Sequence, residues 1–160
     1  MNATDFNELL NNQRSEEVFH YLSKGHSMAE INHISEEQLE SLYSIAYNLY
    51  TQNKYKEAAP LFQMLTMLDH YDTRFSLGLG GCYQMMQEYE KAIEIYAVCY
   101  LADIDNPTAA FYVSKCFMRL GKKEEALSAL LQAKKAAAQQ AKYMNLLTQI
   151  KNYITLLQQD

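Results

Sequence analysis

Four histidines, His20, His26, His33 and His70, are the first residues that could carry chemistry. None stands in an H-E-x-x-H or comparable ligand spacing, so no metal centre is legible. Acidic groups cluster at Glu36, Glu37 and Glu40, and again at Glu124 and Glu125. Paired carboxylates can act as acid and base. Acids at these places are also what the first turn of a helix favours, and that explanation suffices. Gly78-x-Gly80-Gly81 has the composition of a phosphate loop but falls inside a helical pattern, not at a strand-to-helix turn. No G-x-S-x-G element occurs. Cys82, Cys99 and Cys116 form no C-x-x-C pair and read as buried, reduced thiols. The expectation is a protein that is not an enzyme and needs neither metal nor cofactor.

The elements that hold these residues follow from composition. The chain has 160 residues, one domain's worth, of which 49% are hydrophobic. With 5 Gly and 2 Pro it has too few turn residues for a small all-β protein or a low-complexity chain. An all-α domain is expected. A formal charge of −5 argues against nucleic acid and anionic membrane surfaces as partners. No apolar run is long enough to span a bilayer, and Met1 to Leu10 lacks the pattern of a secretory signal. The expected location is the cytoplasm.

A repeat orders the helices. Tyr55-Lys56-Glu57-Ala58 is echoed by Tyr89-Glu90-Lys91-Ala92 and by Lys123-Glu124-Glu125-Ala126. The alanines step by 34 residues, as do Cys82 and Cys116, and 34 is the tetratricopeptide (TPR) period. Large apolar residues follow each alanine at Phe62, Tyr96 and Leu130. Upstream, the small residues Ala46, Gly80 and Ser114 fall in register, flanked by Leu42, Ile45 and Leu49, then Leu79 and Tyr83, then Ala110, Val113 and Phe117. Small side chains at both places let paired helices approach closely. Three tandem repeats are expected at 39–72, 73–106 and 107–140. Tyr143, Leu147, Ile150, Ile154 and Leu157 then mark a C-terminal capping helix over 141–158, with a weak breaker before it.

Residues 15–38 predict N-terminal helices. Ser15 can cap a helix carrying Val18, Phe19 and Leu22 that stops at Gly25. Ser27 with Glu30, and Ser35 with Gln38, are capping boxes, and Ile34 with Leu39 is a hydrophobic staple. Residues 1–14 read as a polar, flexible tail. Residues 15–34 form an extra cap or a homodimerisation arm.

The first helix of repeat one is apolar on two faces. Beside its core stripe stand Tyr43, Tyr47 and Tyr50, where a surface helix would be polar. In a TPR array that second face lines the concave groove. Its counterparts are Leu77, Gly81, Gln84 and Met85, then Phe111, Lys115, Met118 and Arg119. Tyrosine offers a large ring at low entropy cost, and methionine adapts its shape. The alternative is that the tyrosines are core beneath the N-terminal helices. As a groove with little charge, the face suits an apolar peptide.

Several segments together carry a family likeness: Leu42 through Tyr50, Lys54-Tyr55, Leu68-Asp69-His70-Tyr71-Asp72 and Leu77 through Gly80. They resemble the class II chaperones of bacterial type III secretion, TPR proteins that bind hydrophobic translocators. The likeness extends over roughly residues 16–155. It includes Lys24-Gly25 through Ile34-Ser35, although His26 stands where the family usually has a second Gly. The resemblance implies a cytosolic chaperone that keeps pore-forming translocators soluble before export. It implies a groove holding an extended N-terminal translocator segment by spaced Pro and Leu anchors, and in some members a role with a transcription activator. Its groove aromatics map to Tyr43, Tyr47, Tyr50, Tyr55, Phe62 and Tyr96, of which Tyr55 and Tyr96 rest on the resemblance alone. A TPR adaptor gripping C-terminal carboxylates would need Lys and Asn where Tyr43 and Tyr47 stand. A scaffold for another apolar peptide is the broader rival.

Overall fold

The computed structural model describes residues 16 and 18–159. Helix α1, at 18–23, leads into the four-residue α2 (Met28–Ile31). Three helix pairs follow: α3 (Glu36–Thr51) with α4 (Tyr55–Leu68), α5 (Thr73–Met85) with α6 (Tyr89–Ala102), and α7 (Pro107–Arg119) with α8 (Lys123–Ala137). A short 3-10 turn, Ala141–Tyr143, precedes α9 (Met144–Gln159). There is no strand among the described residues. The fold is an all-α TPR array, and each helix from α3 onward packs against the next.

Local chemistry sets each boundary. Both capping boxes form: Ser27 with Glu30 starts α2, and Ser35 with Gln38 starts α3. Ile34 and Leu39 share one core cluster, as a staple requires. Gly25 ends α1 at φ +87°, a backbone region that favours glycine. Ser15 lies outside the described residues. Glu36 and Glu37 occupy the first turn of α3, and Glu124 and Glu125 that of α8. Glu40 lies a turn further in and instead pairs with Arg74.

The three turns inside the repeats share one device. Asn53, Gln87 and Gly121, each 34 residues from the next, adopt left-handed φ of 62°, 64° and 71°. The following amides of Lys54, Glu88 and Lys122 donate to Leu49, Tyr83 and Phe117 carbonyls at 2.9 Å each. This is the Schellman closure, which satisfies orphan carbonyls and folds the second helix back on the first. Between repeats the restart is also periodic. Asp72 caps α5 through the Arg74 amide, and Asn106 caps α7 through the Thr108 amide.

Packing follows the small-residue register. Ala46, Ala58, Ala92, Ser114 and Ala126 are fully buried. Ile45 departs from its expected core position and is 54% exposed. Its equivalent in repeat two, Leu79, is buried because repeat one lies against it. Repeat one has no preceding repeat, and none of the described elements covers Ile45. At the other end Leu147, Ile150 and Ile154 of α9 are buried on α8, closing the apolar end of the array. The break before α9 lacks Gly and Pro. Gln140 is instead extended, and its side-chain amide donates to the Asp105 carbonyl at 3.0 Å, so a tertiary contact fixes it.

Candidate peptide groove

A cavity of about 450 Å³ crosses the first helices of all three repeats. Tyr43, Tyr47 and Tyr50 of α3 form one wall. Their i, i+4, i+7 spacing sets them on one face. Leu77, Gly81 and Met85 of α5 form the centre, and Thr108, Tyr112 and Lys115 of α7 the far wall. Phe62 of α4 and Tyr96 of α6 reach the cavity from behind, each only 1% exposed.

Glycines in α5 make this two-layer arrangement possible. A Cβ on Gly78 would stand 2.3 Å from the Phe62 ring, and one on Gly80 would stand 2.5 Å from the Tyr96 ring. At Gly81 the nearest atoms would be those of Tyr50, at 3.2 Å. The run that could have passed for a phosphate loop is therefore a backbone surface on which three aromatic rings lie. Glycine inside a helix costs about 1 kcal/mol relative to alanine, which these contacts offset.

The rings form linked sets. Tyr43 stacks on Tyr47 with centroids 6.0 Å apart and meets Phe62 edge-on at 6.1 Å. Tyr96 stacks on Tyr112 at 5.4 Å, and its hydroxyl donates to the Gln84 side-chain carbonyl at 3.0 Å. Burial pushes the Tyr43, Tyr50 and Tyr96 phenols above their ordinary range, so they are protonated donors at neutral pH. Arg74 covers the Tyr43 ring at 5.0 Å from its centroid and is held by Asp72 and Glu40. Hydrogen bonds to Asp72 and then Glu40 raise its pKa further, and those carboxylates neutralise its charge at the groove mouth.

Tyr43, Tyr47, Tyr50, Phe62, Leu77, Met85 and Tyr96 meet in this cavity. Tyr55 stands behind Tyr50, edge-on at 5.2 Å, with its hydroxyl donating to Asn53 Oδ1 at 2.6 Å. Phe111 is buried in the C-terminal core against Tyr153 and does not line the cavity. Met118 lines a second cavity of about 590 Å³, which shares Gln84, Met85 and Lys115 with the first. Sequence reasoning missed Arg74, Thr108 and Tyr112. Arg74 had a signal, since it lies one repeat period after Glu40.

Cys82, Cys99 and Cys116 are buried and unbridged. Burial pushes the Cys82 thiol up to about 12 and the Cys116 thiol to about 11, so neither is a thiolate at neutral pH. Among the described residues no group of three or more His, Cys, Asp or Glu could hold a metal ion. No described helix is long and apolar enough to cross a membrane.

The array and the groove along it define a TPR protein, and comparison with known proteins narrows the class. A tetratricopeptide repeat family matches residues 39–72. Low calcium response locus protein H of Yersinia pestis is 39% identical over 134 residues, covering 84% of this chain and 80% of that protein. The type III secretion translocator chaperone SycD of Yersinia enterocolitica superposes with a TM-score of 0.80 at 38% identity, covering 82% of this chain and 98% of that one. SycD has also been solved with a peptide of the translocator YopD. PcrH, solved with the chaperone-binding region of PopD, gives a TM-score of 0.75 at 36% identity, covering 78% and 93%. The chain belongs to the TPR translocator chaperones of type III secretion.

Proposed function

We propose that this chain is a non-enzymatic chaperone that holds an extended, apolar segment of a type III secretion translocator in the aromatic groove. The observation that carries this reading is the cavity itself, which runs across three repeats with half-exposed tyrosines in front and glycine-seated rings behind. A translocator must enter a membrane, so in water its apolar segments would aggregate. Masking one such segment lowers its free concentration by mass action and needs no nucleotide chemistry. The place of action is the bacterial cytoplasm, before export. Support comes from SycD and PcrH, whose structures hold segments of YopD and PopD. A homodimer through residues 15–34 completes the reading, because Phe19 is 74% exposed on α1 and one SycD structure is described as an alternative dimer.

Calorimetry with the YopD peptide seen on SycD tests the groove. Tyr47→Ala combined with Tyr50→Ala removes two aromatic anchors, and affinity is expected to fall at least about a hundredfold. Helix content by circular dichroism is expected to survive, since Leu42, Ala46 and Leu49 are untouched. Full affinity in the double variant rejects the groove. Global unfolding reassigns the tyrosines to the core.

A further inference from the structure

The groove is not chemically uniform along its length. Its first part is aromatic, and the Arg74 cation at its mouth is already paired with Asp72 and Glu40. Its second part, the cavity reached past Gln84 and Met85, is lined by Gln87, Met118, Arg119 and Tyr153, with Lys115 at the junction. No carboxylate lines either cavity among the described residues. Lys115 and Arg119 make no ion pair among the described residues either. Two cations one helical turn apart, neither in an ion pair among the described residues, thus face the groove of a chain whose formal charge is −5.

Each cation has a structural explanation to set beside this. Arg119 lies in the last turn of α7, where a cation complements the helix dipole. Lys115 lies a turn earlier, where that argument lapses. Its ammonium instead sits 5.6 Å from the Phe111 ring centroid and 5.8 Å from that of Tyr112, held at the cavity wall by two faces. Such contacts leave its hydrogen-bond donors unsatisfied by any anion. A carboxylate entering here would gain charge-assisted hydrogen bonds, and no carboxylate among the described residues lines either cavity to repel it.

We infer that the groove selects cargo segments bearing a carboxylate on one flank of their apolar anchors, and that Lys115 and Arg119 read it. This rests on the peptide-binding function proposed above. The cations occupy one end of the groove, so the preference is one-sided. An acidic residue beyond the Lys115 end is favoured, and one beyond the Tyr47 end gains nothing.

The test uses the YopD peptide extended by Glu-Glu on one flank, by Glu-Glu on the other, or by Gln-Gln on both, with fluorescence anisotropy as the readout. One Glu peptide, and not the other, is expected to bind about five- to tenfold more tightly than the Gln peptide at about 0.05 M salt. The advantage is expected to shrink below about twofold at 0.5 M, as screening of half-exposed charges requires. Lys115→Glu combined with Arg119→Glu is expected to reverse the order, favouring a peptide with Lys-Lys on the same flank. Each comparison is a ratio within one protein, so a general loss of affinity does not imitate it. Equal binding of all flanked peptides overturns the inference and leaves the groove standing. A Glu preference that survives the charge reversal also overturns it. Failure of every peptide to bind the unaltered chain overturns the groove function and this inference together.

Discussion

Two rows of aromatic side chains meet at the groove, and they differ in what solvent can reach. The front row is Tyr43, Tyr47 and Tyr50 on α3, with Tyr47 51% exposed. The back row is Phe62 on α4 and Tyr96 on α6, each 1% exposed. In the sequence all five are large aromatic residues on helices. In the fold the front row offers contact area, while the back row props the α5 backbone at the right depth. A ligand can gain energy directly from the first and only indirectly from the second.

The sharpest way to break this distinction is Tyr96→Ala. A core aromatic truncated to alanine costs about 3–5 kcal/mol, and the Gln84 carbonyl loses its donor as well. Tyr47→Ala is expected to stay within about 1 kcal/mol, as exposed substitutions do. Chemical denaturation measures both. Equal losses would mean that the two rows are one core, and the groove would then have no exposed anchors.

A smaller effect separates adjacent glycines. At Gly80 an added methyl meets the buried Tyr96 ring, so Gly80→Ala is expected to destabilise by about 1–3 kcal/mol. Better helix propensity returns about 1 kcal/mol of that. At Gly81 the methyl meets the half-buried Tyr50, which faces the cavity and can move. Gly81→Ala is therefore expected to be close to neutral in thermal melts while reducing peptide affinity. A destabilised Gly81→Ala beside a neutral Gly80→Ala would invert the two layers.

Much of this was legible without coordinates, and the parts that were not have physical reasons. The period of 34 fixed the helix pairs, since every repeat buries the same small residues, Ala58, Ala92 and Ala126. Helical spacing alone brought Tyr43, Tyr47 and Tyr50 to one wall. The Ile45 expectation failed because periodicity assumes neighbours on both sides, and the first repeat lacks one. Phe111 matches its groove register but sits where α9 covers the array, so Tyr153 packs on it. The groove wall there falls to Tyr112, the next residue, which no stripe singled out. Register predicts direction along one helix. It does not report which face a later helix covers.

The smallest effect concerns the turns that hold the two rows together. Asn53, Gln87 and Gly121 occupy the same left-handed position in successive repeats, but only Gly121 adopts it without a Cβ penalty. For a residue such as glutamine that conformation costs roughly 1–2 kcal/mol, set against the greater freedom glycine has when unfolded. Gln87→Gly is therefore expected to stabilise the chain by about 0.5–1 kcal/mol. The reciprocal change, Gly121→Ala, is expected to destabilise by a similar amount. No heavy atom lies within 4 Å of the Cβ that would be added there, so only backbone strain is in play. Urea midpoints at unchanged slope read both. If both changes prove neutral, the left-handed turn is not what holds α5 against α6, and the back row must be fixed by packing alone. If Gln87→Gly instead destabilises, the Gln87 side chain, which lines the second cavity, makes contacts worth more than its backbone strain.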